Sequence, residues 1–417
     1  MVAKDTKPVN PVKEKRRQLY NSYWEEVRNA ELIGKKFVYC TNATPIEFLQ
    51  AMDFVPVFPS NVSATCSAAK VATEMCEAAE AEGYPTDLCS YGRTQIGDIL
   101  LGNKSPSPIG PLPKPSLLIT GCHDHIMIKW FEQISRLYSA PMIVIDVPFA
   151  HDDISQENKE VAHKYIEEQV WELVTFLQDF TGRPFNWERV YELIRNTKKS
   201  YQLCQEVLDL RRYIPSPLSA WDLFSDLLFP SRVLRGWPDA IGFYKLALDY
   251  YTDLVNKGIG AIPNEKYRLH FDGLPPWFRM GFLAKNLASY GALPLSGPYE
   301  LSLHFEDLDP SRPVESYAAT VGRHYNLEGT ISKVDDIAGL VSRYSLDGQI
   351  IAWSRTCRVF TIGMRDRIEI LEKRTGIPSV IIECDTCDAR LTSDEKMSYA
   401  IDAFMEVLAV KNRRRFS

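Results

Sequence analysis

A chain of 417 residues is longer than one typical hydrophobic core, so two or three domains are expected. Its 45% hydrophobic and 24% charged residues are those of an ordinary globular protein, and a net charge of −6 without a basic stripe argues against a nucleic-acid surface. No apolar run approaches the roughly 20 residues that cross a bilayer, and the polar start Met1-Val-Ala-Lys-Asp-Thr-Lys lacks the apolar segment of an export signal, so no membrane contact is expected and the cytoplasm is the expected location.

Residues 1–15 read as a loose polar arm, and the stripe Leu19, Tyr20, Tyr23, Trp24 and Val27 predicts a helix over 16–30. A strand at 36–40, a helix at 47–52 and a strand at 55–58 make a first βαβ unit, with Thr44 as helix cap and Pro45 in the first helical position. Small residues over 63–82 predict a helix; a turn at 83–87 leads to Cys89 and a further helix over 94–101. Residues 102–115, rich in Pro, Gly and Ser, form a loop. A second unit follows: strand 117–120, the loop Gly121-Cys-His-Asp-His125, helix 126–137 and strand 142–146. Long amphipathic stretches at 165–180 and 187–210, then helices at 221–228 and 239–257, predict a mainly helical segment over 151–262.

Strand 266–271 opens a second α/β region, followed by helix 278–290 with Gly291 ending it, strand 292–295, and a helix through 340–344. The last unit repeats the earlier grammar: strand 349–352, a loop ending at Cys357, helix 364–374, strand 379–382, then the acidic Asp385, as Asp146 follows the earlier unit. Cys122 and Cys357 thus read as equivalent positions in two related halves. The expected fold is α/β: two Rossmann-like parallel-sheet domains, 1–150 and 263–417, around the helical segment 151–262. The basic cluster at 411–415 reads as a solvated tail.

Nine cysteines in such a chain do not suggest a disulfide framework, and most buried thiols behave as small hydrophobes. Cys89, Cys122 and Cys357 share a different context, loops at the carboxyl edge of parallel sheets, where ligands collect. Three such thiolates suit three irons of a [4Fe–4S] cluster, with the fourth iron open; buried structural cysteines are the competing reading. Cys384-Asp-Thr-Cys387 lacks the second pair of a zinc site, and packing is expected there. Asp124 is expected to cap the helix after it, and His123 is a candidate acid. The aromatic loops 275–278 and 217–221 suit either a flat apolar pocket or packing. Without a phosphate-binding glycine loop, ATP or dinucleotide chemistry would fall to another protein.

The chain resembles the 2-hydroxyacyl-CoA dehydratase / benzoyl-CoA reductase family. The resemblance rests on Met75-Cys-Glu-Ala-Ala-Glu through Gly83-Tyr-Pro-Thr-Asp-Leu-Cys-Ser-Tyr-Gly-Arg93, Ile128-Lys-Trp-Phe-Glu132, Pro141-Met-Ile-Val-Ile-Asp-Val-Pro148, Pro215-Ser-Pro217, Glu265-Lys-Tyr-Arg-Leu269, and Ser354-Arg-Thr-Cys357 through Glu372-Lys-Arg-Thr-Gly-Ile-Pro378, in order over about residues 16–410. It implies that Cys89, Cys122 and Cys357 ligate a [4Fe–4S] cluster with one open iron site. It also implies a homologous iron–sulfur partner subunit, a separate ATP-hydrolysing iron–sulfur electron donor, and an acyl-CoA substrate reduced by one electron. In the dehydratases a serine follows the first strand and a glutamate the second; the matching positions here are Asn42 and Ser60. That departure favours an aroyl-CoA reductase subunit. A dehydratase subunit, a homodimer with a double cluster that would use the extra cysteines Cys40, Cys66, Cys76, Cys384 and Cys387, and a non-catalytic electron carrier are the alternatives. Asn42, Ser60 and His123 are the candidate catalytic residues, and Glu47 and Trp277 the candidate substrate contacts.

Overall fold

The computed structural model describes residues 10–30, 32–124, 126–302 and 304–415; His125 and most of the expected arm lie outside these residues. Helix α1 (Pro11–Asn29) starts earlier than its apolar stripe suggests, because Asn10 accepts the amides of Val12 and Lys13 and Pro11 suits the first turn.

The first sheet has strands β1 (Lys36–Cys40), β2 (Phe54–Val57), β3 (Leu117–Gly121) and β4 (Met142–Ile145), all parallel, in the order β2-β1-β3-β4. The second has β5 (Tyr267–Asp272), β6 (Ala292–Ser296), β7 (Gly348–Ser354) and β8 (Ser379–Cys384), also parallel, in the matching order β6-β5-β7-β8. The protein is therefore an α/β fold of two parallel sheets. Cys122 follows the third strand of the first sheet and Cys357 the third strand of the second, so the two thiols are topologically equivalent. The central strands are largely buried, and β3 is buried along its whole length; β5 also buries Arg268, His270 and Asp272. Each large apolar side chain taken from water there contributes about 1.5–3 kcal/mol.

Between β1 and β3 run α2 (Ile46–Ala51), α3 (Pro59–Ala68), α4 (Ala72–Ala81) and α5 (Ser90–Leu101). The helix expected over 63–82 is two helices, broken where Lys70 takes φ +66°. Pro45 is the cap residue of α2, not its first helical residue, and Thr44 does not cap it. The Thr44 hydroxyl instead accepts the Thr41 amide (3.2 Å) and donates to the Ile119 carbonyl (3.3 Å), joining the loop after β1 to β3. Helix α6 (Met127–Tyr138) connects β3 to β4.

Helices α7 (Gln156–Thr181), α8 (Trp187–Asp209), α9 (Ala220–Asp222), α10 (Leu228–Arg232) and α11 (Pro238–Asn256) then precede the second sheet. The helix expected over 221–228 is interrupted by a π-helical turn, Leu223–Leu227. In the second half come α12 (Met280–Ser289), α13 (Pro313–Gly322), α14 (Thr330–Tyr344), α15 (Arg358–Thr361), α16 (Met364–Thr375) and α17 (Asp394–Arg415). The basic cluster expected as a tail continues α17, whose Met397, Ile401, Phe404 and Leu408 are buried at helical spacing.

Two of the sequence pieces that carry the resemblance meet in one polar junction. Glu265 accepts the Ser216 amide (2.5 Å) and pairs with Arg268 (2.7 Å), and Arg268 donates to the carbonyls of Arg211 (2.6 Å) and Tyr213 (2.7 Å). The helical segment is thereby pinned to the start of β5.

Candidate functional site

Both sheets reverse their strand order between first and third strands, and ligands collect beyond the carboxyl ends at such points. Here the two sets of ends border one cavity of about 450 Å³. Thr41 and Asn42 reach it after β1, Phe58 and Ser60 after β2, and His123 and Asp124 after β3. Leu274 and Trp277 reach it after β5, Tyr299 after β6 and Cys357 after β7. The volume lies in the small-molecule range of roughly 300–1,000 Å³. The side toward α1 and α10 is aromatic, with Tyr20 and Phe229 rings 5.3 Å apart, and Phe224 and Tyr299 rings 5.2 Å apart. Of the two aromatic loops, 275–278 supplies Trp277 to this wall. Trp221 of the other packs its ring 4.9 Å from Phe271.

Cys89 and Cys357 both line the cavity, each as the cap residue of the helix that follows it, α5 and α15. Burial pushes the Cys89 thiol up to about 12, with the Asp124 charge adding and the amides at the start of α5 opposing. Burial also raises Cys357 well above its ordinary value, with Asp124 and then Cys89 contributing. Such thiols stay protonated unless a cation takes the proton's place, which is the behaviour of a metal ligand as much as of a core cysteine. Cys122 does not join them. Its partly buried thiol is raised by burial and by Asp146, although the next two residues, His123 and Asp124, line the cavity. Among the described residues no three His, Cys, Asp or Glu side chains form a group able to hold a metal ion. The donor chemistry nonetheless fits an iron–sulfur cluster: soft thiols on the facing edges of two sheets, around a shared cavity.

The loops of Cys89 and Cys357 are tied together. The Thr356 hydroxyl donates to Asp385 (2.6 Å) and accepts the Ser90 amide (3.1 Å). Asp385 in turn accepts the amides of Cys387 (3.1 Å) and Asp388 (2.9 Å). The acidic end of β8 is visible in sequence; its grip on Thr356 is not, because the partner depends on the fold.

His123 is buried, its Nδ1 has no hydrogen-bond partner among the described residues, and its ring lies 4.8 Å from that of His324. Burial lowers His123 to about 4, and burial followed by the His123 neighbour lowers His324 well below the ordinary value. Both rings are neutral at pH 7, so His123 carries no extra proton and the acid role expected of it changes to that of a neutral donor or acceptor. Asp124 does not cap α6, whose cap residue is Ile126 with no side-chain cap; its carboxylate accepts the Ile126 amide (3.4 Å) and its carbonyl the Met127 amide (3.2 Å), which turns the chain into the helix one step earlier. The Asn42 side-chain oxygen is buried without a hydrogen-bond partner among the described residues. Trp277 donates its indole N–H to the Tyr91 hydroxyl.

Glu47 requires a correction. It is not on the cavity wall: the buried carboxylate accepts the Thr197 hydroxyl (2.7 Å) and pairs with Arg235 (3.1 Å). Arg235 then donates to the carbonyls of Asn42 (3.1 Å) and Thr44 (2.7 Å), so Glu47 supports the loop that carries Asn42. The extra thiols Cys40, Cys66, Cys76, Cys384 and Cys387 are buried and none borders the cavity. The Cys384 and Cys387 side chains pack in the core, as expected of that pair.

A family model described as 2-hydroxyglutaryl-CoA dehydratase, D-component, matches residues 41–408. The chain belongs to this family. Within it, the chain is 28% identical to the lactoyl-CoA dehydratase alpha chain of Anaerotignum propionicum, over 92% of this chain and 93% of that one. It is 27% identical to the (R)-phenyllactyl-CoA dehydratase alpha chain of Clostridium sporogenes, over 91% of each chain. A benzoyl-CoA reductase subunit of Thauera aromatica is 25% identical, over 88% of this chain and 87% of that one. Two of these three relatives are dehydratase subunits, so the family assignment stands while the reductase expectation receives no preference from similarity.

Proposed function

We propose that this chain is the acyl-CoA-binding, iron–sulfur subunit of a 2-hydroxyacyl-CoA dehydratase-type enzyme, with Cys89, Cys122 and Cys357 holding a [4Fe–4S] cluster that keeps one iron open. The observation that carries the reading is the shared cavity: Cys89 and Cys357 come from opposite halves to its wall, and the loop of Cys122 contributes His123 and Asp124. When bound, such a cluster supplies low-potential one-electron chemistry, iron–sulfur potentials reaching down to about −700 mV, and a Lewis-acidic iron.

The chain's own residues do the rest. Aromatic side chains exclude water from the acyl group and pack against it. Neutral His123 and the unpaired Asn42 amide oxygen, both on the cavity lining, are the groups assigned to hydrogen-bond a substrate hydroxyl, and Ser60 adds a hydroxyl. The relatives are named as single subunits of larger enzymes, which supports a partner subunit here, taken to be homologous, with an ATP-hydrolysing iron–sulfur protein as electron donor. The cytoplasm is the proposed location, and among the described residues no helix is long and apolar enough to cross a membrane. The placement of five further thiols away from the cavity favours a single over a double cluster, and a cavity of acyl-group size favours a catalytic subunit over an electron carrier.

An aroyl-CoA reductase subunit is the second reading, favoured by Asn42 and Ser60 standing where the dehydratases have serine and glutamate, and by the aromatic wall. The complex, purified without oxygen and supplied with its electron donor, is offered a 2-hydroxyacyl-CoA and benzoyl-CoA. Formation of the 2-enoyl-CoA supports the dehydratase; loss of benzoyl absorbance supports the reductase; turnover of neither, by a cluster-loaded complex, removes both.

A further inference from the structure

The cavity wall holds a charge that the fold leaves unneutralised. Arg93, Arg211, Arg235, Arg268 and Arg367 are buried, and each has a carboxylate partner: Asp388, Glu300, Glu47, Glu265 and Asp272. Arg232 is equally buried, at 5% exposure, yet among the described residues it forms no ion pair. One guanidinium nitrogen, Nη2, donates to the Tyr299 carbonyl at 2.7 Å, and the group lies 5.5 Å over the Phe305 ring. The other, Nη1, has no hydrogen-bond partner among the described residues. Arg232 lines the same cavity as Cys89 and Cys357. Arg16, the other arginine on that wall, is already paired with Asp226 at 3.6 Å.

A buried cation without a counter-charge is costly, and a site that keeps one is incomplete until an anion or strong acceptor enters. Arg232 also ends α10, which directly follows the π-helical turn Leu223–Leu227, a distortion that recurs at functional sites, and Phe224, Phe229 and Arg232 of this stretch all line the cavity.

We propose that Arg232 is the acyl-oxygen recognition residue of this cavity, its unpartnered Nη1 taking an oxygen of the bound thioester. That oxygen is either a carboxylate carried by the acyl group or the thioester carbonyl. The proposal rests on the acyl-CoA reading above and adds the residue that selects within it.

Binding is measured by calorimetry on the full chain with any co-purifying subunit, using glutaryl-CoA, valeryl-CoA and free CoA, none of which has a 2-hydroxyl to eliminate. In R232Q at least a tenfold loss is expected for glutaryl-CoA with free CoA unchanged. If valeryl-CoA is unaffected, the acyl carboxylate is the ligand; if it weakens equally, the thioester oxygen is. Both thioesters binding R232Q as they bind the wild type overturns the proposal, as does an equal loss for free CoA. Should R232Q not fold, R232K keeps the charge but loses the fork geometry. A several-fold loss for thioesters alone is then expected, and no loss overturns the assignment. A wild-type complex that binds none of the three removes the acyl-CoA reading, and the Arg232 role with it.

Discussion

Glu47 is a residue whose chemistry suggests a site and whose surroundings assign it a support. Its carboxylate neutralises Arg235 beneath the Asn42 loop, and removing one partner of a buried pair leaves a stranded charge costing about 3–5 kcal/mol. Glu47→Ala is expected to lose stability of that order in denaturant unfolding while the folded fraction keeps its acyl-CoA affinity; lost affinity at unchanged stability would return Glu47 to the substrate. His270 gives a pH dependence. It is fully buried, with Nδ1 2.8 Å from the Ser296 hydroxyl, and burial lowers it to about 4 from an ordinary 6.5. Between those values the unfolded chain takes up a proton that the folded one refuses. The contribution is therefore complete above about pH 6.5 and is lost as pH falls toward 4, up to about 3 kcal/mol at 1.36 kcal/mol per unit. Stability curves of the wild type and His270→Asn should diverge across that window, the variant falling less steeply; parallel curves would contradict the buried neutral imidazole.

Among the elements, all eight strands were legible, most as short apolar runs bounded by turns as a sheet covered on both faces favours, and β5 as an alternation in which Arg268, His270 and Asp272 interrupt the apolar residues. Helix α17 carries a comparable signal in Met397, Ile401, Phe404 and Leu408, but its basic end suggested a tail. The break at Lys70, an exposed non-glycine residue at φ +66°, and the π turn after Asp222 were not legible, because neither carries a glycine or proline to mark it. The tie between loops is of the same kind. Thr356 joins the start of α5 to the end of β8 through Ser90 and Asp385. Thr356→Val leaves the Ser90 amide and the Asp385 carboxylate short of a buried partner, about 1–3 kcal/mol. It should also lower the iron content of anaerobically purified protein, since it frees the Cys89 loop from the Cys357 loop. Unchanged iron with reduced melting temperature would make the tie structural alone.

Across the molecule, two sheets of the same strand order present equivalent edges to one cavity, and the seam is held by polar contacts between halves. Arg93 on α5 pairs with Asp388 beyond β8 (3.0 Å), and Ser67 on α3 donates to the Thr386 carbonyl (2.9 Å). The topological equivalence of Cys122 and Cys357 could be read from repeated local grammar; Cys89 and Cys357 share instead a place at the start of a helix, α5 and α15. Arg232 could not: nothing in its neighbouring sequence distinguishes it from five other arginines that the fold pairs with carboxylates.

The most direct test of the account is the iron and acid-labile sulfide content of the chain, purified without oxygen with any co-purifying subunit quantified, for the wild type, Cys122→Ala and Cys40→Ala. A single cluster predicts about four irons and four sulfides per chain, lost in Cys122→Ala and retained in Cys40→Ala, whose thiol lies within β1 away from the cavity. Iron that is absent from the wild type, or unchanged when Cys122 is removed, would contradict the thiol set on which the proposed function stands.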